Sequence, residues 1–401
     1  MTTAQQPSYP PQSTGIARAQ RPALIAGILG VIACVIGFAI NRQEFFRAYL
    51  PSYMFWFEIA AGSLAVLMLQ YTTGGEWGVL IRRPLGAGAR TMVVMAALFI
   101  PIALGAQSIY IWADPSIVAH DAILQHQQKY LSVGPWIGRT IFYFALWILW
   151  TWRIRVLSLR FYEDRAPETE LSRRKWAATG LPMIVLTLTF ASIDWLMSLE
   201  PKWSSSMYGI TFVVSCGLSA FAFVTFLLTR LAKTKAMADI VRPMHFRDLG
   251  NLMLAFVMFW AYTAFSQFLL IWYGNIKEEV PYYIKREHGA WGYLAVVLIL
   301  FHFFLPFFML LMRTIKDRPQ TIAIVAVIIL IMRYVHNDWL IGPAWTGEHF
   351  HFSWMNVASF VGIGGIWFWA FVKQLKGQTI IPIHETWVEE AIREGRLTAH
   401  A

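Results

Sequence analysis

Long apolar runs are the feature that most constrains this chain. A helix needs about 20 mostly apolar residues to cross a bilayer, and ten such runs recur between residues 22 and 372. Gly and Pro mark most of the breaks between them. Only 14% of the 401 residues are charged, whereas soluble proteins have about 25%. The sequence therefore predicts an all-α polytopic membrane protein and excludes a soluble enzyme, a disordered scaffold or a disulfide mini-protein.

The predicted spans, numbered 1 to 10 in chain order, cover 22–40, 52–71, 91–113, 134–152, 176–199, 207–229, 249–273, 289–312, 320–341 and 354–372. Residues 1–21, rich in Gln, Pro, Ser and Thr, are expected to form a disordered tail, and 373–401 a second tail. The segment ending at Cys34 resembles a lipoprotein cleavage box. The apolar run continues to Ile40, which favours an uncleaved first helix.

The basic residues predict the orientation of the chain. The net charge is +10, and by count one side of the predicted spans carries about 24 Lys and Arg against about seven on the other. The positive-inside rule places that side, and both termini, in the cytoplasm. The excess charge is thus an insertion signal that can also attract anionic lipid, and no nucleic-acid partner is expected.

Two short motifs recur four spans apart. Asp194-Trp195-Leu196 ends span 5 and Asp338-Trp339-Leu340 ends span 9, while Ile111-Trp112 and Ile271-Trp272 close spans 3 and 7. This predicts two parallel four-helix bundles. The first lies within 52–229, which also contains span 6, the second covers 207–341, and spans 1 and 10 are peripheral. An aromatic belt would also repeat Trp, but it does not require Asp.

Charged residues inside spans are costly and are therefore functional candidates. Glu58, Arg139 and Asp194 lie at a common depth, about two turns from the outer ends of spans 2, 4 and 5. A carboxylate pair with one Arg between them could bind a polar head group or pass a proton. The alternative is a structural ion pair that holds the bundle together.

Span 9 offers a second set. Arg333 and His336 are three residues apart and share a helix face, whereas Asp338 does not. An imidazole beside a carboxylate is suited to proton exchange near neutral pH. The alternative is a polar cap on the outer end of the helix.

A third set of polar residues lies deep in spans 7 and 8. Tyr262, Ser266 and Gln267 in span 7, with His302 in span 8, could hold waters of an inner half-channel. A lone buried His is otherwise a hydrogen-bonded core residue.

The outer loops supply further candidates for proton exchange or partner contact. These are His120, Asp121, His126, Glu200, His288, Glu348, His349 and His351. The Glu348-His349-x-His351 spacing is too weak for a metal site, and no metal is expected. No CxxC, nucleophile elbow, phosphate loop or zinc signature occurs, so no catalytic residue and no haem or iron–sulfur cluster is assigned to this chain.

Two segments carry a family resemblance. Phe190 to Trp203 reads FASIDWLMSLEPKW, and Phe259 to Glu279 reads FWAYTAFSQFLLIWYGNIKEE. Both resemble the family of the second quinone-binding membrane subunit of bacterial alternative complex III, which is similar to the polysulfide- and nitrite-reductase membrane subunits. The resemblance extends over all the spans and leaves both tails unmatched.

The resemblance implies ten helices in two four-helix bundles. It also implies a membrane subunit, itself free of firmly bound cofactors, in a complex that oxidises menaquinol or a related quinol for a cytochrome c or another periplasmic acceptor. The implied partners are a paralogous quinol-binding membrane subunit, an iron–sulfur or molybdopterin-like peripheral subunit, and haem c subunits. Its implied roles are assembly and proton translocation or quinone binding. A proton-coupled secondary transporter and a purely structural scaffold subunit remain the alternatives.

Overall fold

The computed structural model describes residues 14–234, 237, 240–347 and 349–376. Within these residues the chain is helical without strands. Ten helices are long and apolar enough to cross a membrane: Ile16–Ile40, Arg42–Thr73, Glu76–Leu104, Val133–Asp164, Pro167–Leu199, Ser206–Leu231, Pro243–Gly274, Gly289–Leu311, Pro319–Thr346 and Trp354–Leu375. The predicted all-α multi-pass membrane protein is confirmed, and these helices keep the names span 1 to span 10.

The tails are only partly described. Residues 1–13 and 377–401 lie outside the described residues. Residues 14–21, expected to be disordered, are instead largely helical, with a short helix Thr14–Arg18 followed by a long helix from Gln20. The sequence from Gln20 onward has no further break before Ile40, so the helix extends through the polar residues that precede the apolar run.

Span 2 begins ten residues before its predicted start. Span 1 ends at Ile40, and the extended residue Asn41 caps span 2 by accepting a hydrogen bond from the Glu44 backbone N–H at 3.1 Å. Pro51, which directly precedes the predicted start of span 2 at residue 52, lies inside the helix. The helix tolerates it because neighbouring groups can satisfy the carbonyl that Pro leaves free.

Span 3 is shifted from its predicted position. It starts at Glu76 with a 3₁₀ segment, continues past Pro84 and ends at Leu104. Trp112, expected at its outer end, lies in a separate 3₁₀ turn, Ile111–Ala113. A Pro near a helix start costs no hydrogen bond, because the first N–H groups have no partner there. The helix therefore starts before Pro84 and ahead of residue 91, the predicted start of span 3.

Helix neighbours repeat in the two halves of the chain. Span 2 packs against spans 3 and 5, and span 4 packs against the same two. Span 6 likewise packs against spans 7 and 9, which also enclose span 8. Spans 2 and 6 pack against each other at the centre. This is the neighbour pattern that two consecutive four-helix bundles produce.

Spans 1 and 10 pair along a glycine seam. Gly27 and Gly30 of span 1 face Gly362 and Gly365 of span 10. A Cβ on Gly27 would lie 2.8 Å from the backbone nitrogen of Ile366. Small residues allow this close backbone approach, which is how membrane helices pack without a hydrophobic driving force. Span 10 also contacts spans 2 and 3, so this pair borders the bundles.

An ionic and aromatic clamp links the loops at the ends of the bundles away from the basic loops. Glu200, after span 5, accepts a hydrogen bond from Lys285 at 2.9 Å and forms an ion pair with Arg286 at 2.8 Å. Trp203 stacks on Tyr282 with ring centroids 3.6 Å apart. The Arg286 guanidinium lies 3.5 Å from the centroid of the same Tyr282 ring. This clamp, made of these five residues, fixes the short helix Val280–Glu287 over spans 6 to 9.

Candidate functional site

The second bundle encloses a cavity of about 530 Å³ between spans 6, 7, 8 and 9. Its wall is mainly apolar and aromatic, and includes Phe212, Phe265 and Phe303. Polar atoms come from only a few side chains, among them Arg333 and His336. Cavities of this size with an apolar wall and a few placed polar groups are typical of small-molecule sites.

A buried ion pair lies beside the cavity and joins the two bundles. Arg333 of span 9 donates to the Glu58 carboxylate of span 2 at 2.8 and 3.2 Å. Ser219 of span 6 also donates to Glu58, at 3.0 Å. Both charged side chains are at most 1% exposed. A buried carboxylate without such partners would be strongly destabilising, so these three residues form one satisfied unit.

The position of the proton on His336 follows from its partner. Arg333 Nη1 lies 2.9 Å from His336 Nδ1. A guanidinium can only donate, so Nδ1 must accept. Neutral His336 therefore carries its hydrogen on Nε2, and the ring lines the cavity. The arrangement gives the cavity one imidazole N–H donor whose tautomer is set by the ion pair.

His302 is the least satisfied polar group of the site. It lies in a π-helical segment of span 8, Leu298–Phe304, and is fully buried. Neither ring nitrogen has a hydrogen-bond partner among the described residues. Its ring packs 4.0 Å from the Trp260 ring and stacks 5.9 Å from His336. A π segment inside an α-helix often marks a functional position, so the expected hydrogen-bonded core histidine is not what the structure shows.

The short helix Val280–Glu287 supplies two neutral phenols to the rim of the cavity. Burial raises the pKa of Tyr282 to about 12, and it also raises the pKa of Tyr283. Both tyrosines line the cavity. Because both stay protonated at physiological pH, they can donate as well as accept hydrogen bonds there.

The first bundle holds a separate ion pair. Arg139 donates from Nε and Nη2 to both oxygens of Asp194 at 2.9 Å, and the Tyr143 hydroxyl donates to the same carboxylate at 2.9 Å. The expectation that Glu58 and Asp194 share Arg139 is wrong. Glu58 instead lies on the face of span 2 that points to the second bundle, where it contacts Arg333 of span 9. Asp194 is thus held in a satisfied structural pair.

Asp338 is distinct from both ion pairs, as its position on span 9 predicted. It is 8% exposed and lines a small cavity of about 20 Å³ together with Glu44, Arg47 and His351. Among the described residues its carboxylate has no hydrogen-bond or ion-pair partner. A buried acid without a partner near the outer end of a span is a candidate for proton exchange.

Of the three residues of span 7 that were expected to line an inner half-channel, one lies on the wrong side of the helix. Gln267 is buried and lines the cavity, and Ser266 is half-buried. Tyr262 is 65% exposed on the outer surface of the bundle, so it cannot hold waters between the spans. Five residues separate Tyr262 from Gln267, which turns their side chains about 140° apart on an α-helix.

The outer-loop candidates are scattered. Asp121 pairs with Lys202 at 2.6 Å, and that hydrogen bond lowers the pKa of Asp121. Glu200 belongs to the clamp. Exposed positions are occupied by His120, His126, His288, His349 and His351. Glu348 lies outside the described residues. Within the part of the chain that the structure describes, no three His, Cys, Asp or Glu side chains come together as a metal site.

Several site residues were not singled out from the sequence. Trp260 and Tyr283 line the cavity, and Ser219 donates to Glu58 of the ion pair. Apolar runs contain many residues of these types, so the sequence did not distinguish these three. Arg286 is 1% exposed although it follows a polar loop. The adjacent Tyr282 and Tyr283, shortly before Lys285, were the only sequence signal for this part of the site.

No protein family and no curated protein matches this chain.

Proposed function

We propose that this chain is a membrane subunit of a quinol-oxidising electron-transfer complex, and that the second bundle binds the quinone or quinol. The observation that carries the proposal is the cavity of about 530 Å³ with the Arg333–His336 pair at its wall. Quinones combine an apolar body with carbonyl oxygens, and they reach their sites through the lipid. The family resemblance of span 5 and span 7 supports the same proposal.

The polar groups fit the head group of such a molecule. His336 Nε2–H and the Gln267 amide can donate to a carbonyl or hydroxyl oxygen in the cavity. Arg333 keeps His336 in the tautomer that donates, and Glu58 balances the charge of Arg333. The aromatic wall contacts the apolar remainder of the molecule. In this arrangement the chain binds and orients the quinol, while its electrons pass to haem c and iron–sulfur partners.

Fewer residues are proposed to exchange protons than the sequence alone indicated. Asp194 has three hydrogen bonds from Arg139 and Tyr143, so we assign it to stability. His302 and His336 stack beside the cavity, and Asp338 is a buried acid without a partner among the described residues. We propose these three residues as the groups that exchange protons with the cavity and the outer surface.

The remaining features of the proposal concern location and assembly. The arginine-rich loops support a bacterial inner membrane with both termini in the cytoplasm. The partners would be a paralogous membrane subunit, a peripheral iron–sulfur or molybdopterin-like subunit and haem c subunits. A scaffold function is favoured for the first bundle by the Arg139–Asp194 pair, because both charges are neutralised by each other.

Quinone binding can be measured directly on the purified protein. A water-soluble menaquinone analogue should quench tryptophan fluorescence, because Trp260 lines the cavity. His336→Leu should weaken binding about fivefold, since it removes one hydrogen bond of about 1 kcal/mol. Tyr262→Phe is the matched control on the lipid-facing side of span 7. Equal affinity of both variants would rule out this cavity as the site.

Membership of a complex needs a separate experiment. Extraction from the native membrane in mild detergent should recover haem c and iron–sulfur subunits with this chain. A chain that is recovered alone under those conditions, and that transports a solute in proteoliposomes, would support the transporter alternative instead.

A further inference from the structure

The cavity of the second bundle has a carboxylate at its outer rim. Glu287 lines the cavity, is exposed to solvent, and ends the short helix Val280–Glu287. Among the described residues of the cavity wall it is the only Asp or Glu. The cavity therefore combines one imidazole N–H donor, from His336 of span 9, with one negatively charged acceptor.

The carboxylate of Glu287 is not engaged by the cations beside it. Lys285 and Arg286, which directly precede it in the helix, both pair with Glu200 instead. In the part of the chain that the structure describes, Glu287 has no hydrogen bond or ion pair through its side chain. An ionised carboxylate binds hydroxyl donors strongly. Its acceptor positions are thus open to a donor in the cavity.

The clamp holds Glu287 at a defined depth relative to His336. Arg286, the preceding residue, is 1% exposed and donates to the Leu340 carbonyl at 2.7 Å. Leu340 lies four residues after His336 on span 9, which is about 6 Å along an α-helix. Glu287 is therefore held roughly one helical turn outward of His336. A six-membered ring with an oxygen at each end spans a distance of this order.

The two residues differ in what they require of a ligand oxygen. The Nε2–H of His336 donates, so it binds a carbonyl or a hydroxyl oxygen equally. An ionised carboxylate only accepts, so Glu287 requires an O–H group. A quinol satisfies both residues, whereas a quinone turns the lone pairs of a carbonyl toward a negative charge. A site with such a group discriminates against the ligand that leaves the group unpaired.

We propose that Glu287 makes this cavity selective for the quinol over the quinone, by accepting a hydrogen bond from one quinol hydroxyl. The inference rests on the proposed quinone or quinol site and adds the preference of that site between the two oxidation states. His336 binds the ring oxygen at the inner end, and Glu287 reads the hydroxyl group at the outer rim.

The test compares the affinity of the full chain for two forms of one ligand. A water-soluble menaquinone analogue is used oxidised, and reduced with dithionite under argon, and binding above that of empty micelles is measured by equilibrium dialysis. The wild type should bind the reduced form about tenfold more tightly, the factor expected for one hydrogen bond to a charged group. Glu287→Gln should remove most of this preference, because an amide can donate to a carbonyl as well as accept from a hydroxyl.

A neighbouring acid provides the matched control. Glu278 is exposed, precedes the same short helix and does not line the cavity, so Glu278→Gln should keep the wild-type preference. Glu287→Asp keeps the charge and should retain part of the preference. Unchanged thermal unfolding of the variants excludes misfolding as the cause.

The outcomes separate this inference from the proposed function. If neither form binds to the wild type above empty micelles, the quinone or quinol proposal fails and this inference fails with it. If both forms bind to the wild type with equal affinity, or if Glu287→Gln keeps the wild-type preference, the site stands and the role of Glu287 is overturned. An equal loss of preference in Glu278→Gln would also overturn it, because the effect would then come from surface charge.

Discussion

The Glu58–Arg333 pair gives the sharpest prediction about stability. Glu58→Gln removes the carboxylate but keeps the shape of the side chain, so Arg333 becomes a buried charge without a counter-charge. Two unit charges about 4 Å apart interact by roughly 4 kcal/mol at an effective dielectric constant of about 20. Removing one partner of a buried pair costs about 3–5 kcal/mol. Both arguments give a loss of similar size.

The assay is thermal unfolding of the detergent-solubilised protein. At about 2 °C per kcal/mol, Glu58→Gln should lower the apparent melting temperature by roughly 8 °C. The ion pair between Asp121 and Lys202 provides the control. Lys202 is 57% exposed, and Lys202→Gln should cost no more than about 1 kcal/mol of stability.

A double variant tests the physical reason. Replacing both partners, as in Glu58→Leu with Arg333→Met, should recover most of the loss, because well-packed apolar residues can substitute for a buried pair. The reasoning is refuted if Glu58→Gln costs no more than Lys202→Gln. It also fails if the double variant is as unstable as the sum of its single changes, since the two residues would then not be coupled.

Three further changes have definite outcomes. The hydrogen bond from Arg247 lowers the pKa of Asp317. The pair therefore stabilises the fold above about pH 3.9, and this stabilisation is lost as the pH falls through the lowered pKa. Hydrogen exchange at 312–318 should rise in acid, and Asp317→Asn should show the faster exchange at every pH. Gly30→Leu should cost about 1–3 kcal/mol by overpacking the seam with span 10, seen as a lower melting temperature, whereas an unchanged value would mean that the seam is loose. Asp338→Asn should raise the melting temperature, because it removes a buried carboxylate without a partner among the described residues; a decrease would show that the carboxylate is paired.

The number of spans could be predicted from the sequence, and the pairing of their charges could not. The length of an apolar run sets whether it crosses the bilayer, and the distance of Glu58 or Asp194 from a helix end gives its depth. The side on which a neighbour lies depends on helix rotation and packing. Glu58 and Asp194 therefore share a depth, but they face different bundles.

Local periodicity could have been used further. The same-face relation of Arg333 and His336 was predicted and is confirmed by their 2.9 Å contact. The helical angle between Tyr262 and Gln267 follows from the same rule, so their separation was predictable. The cavity was not, because its wall comes from four spans that are far apart in sequence. The π segment around His302 likewise depends on packing against span 7 and span 9.

The link between Glu58 and Arg333 has a consequence for biosynthesis. The two residues are 275 positions apart, and at about 5–20 residues per second a ribosome needs roughly 14 to 55 s to reach the second after the first. During this time span 2 is already made and its counter-charge does not exist. A nascent chain with an ionised carboxylate in hydrocarbon would be held back. Glu58 therefore spends this interval without its counter-charge, and the contact that joins spans 2 and 9 can form only after span 9 has been translated.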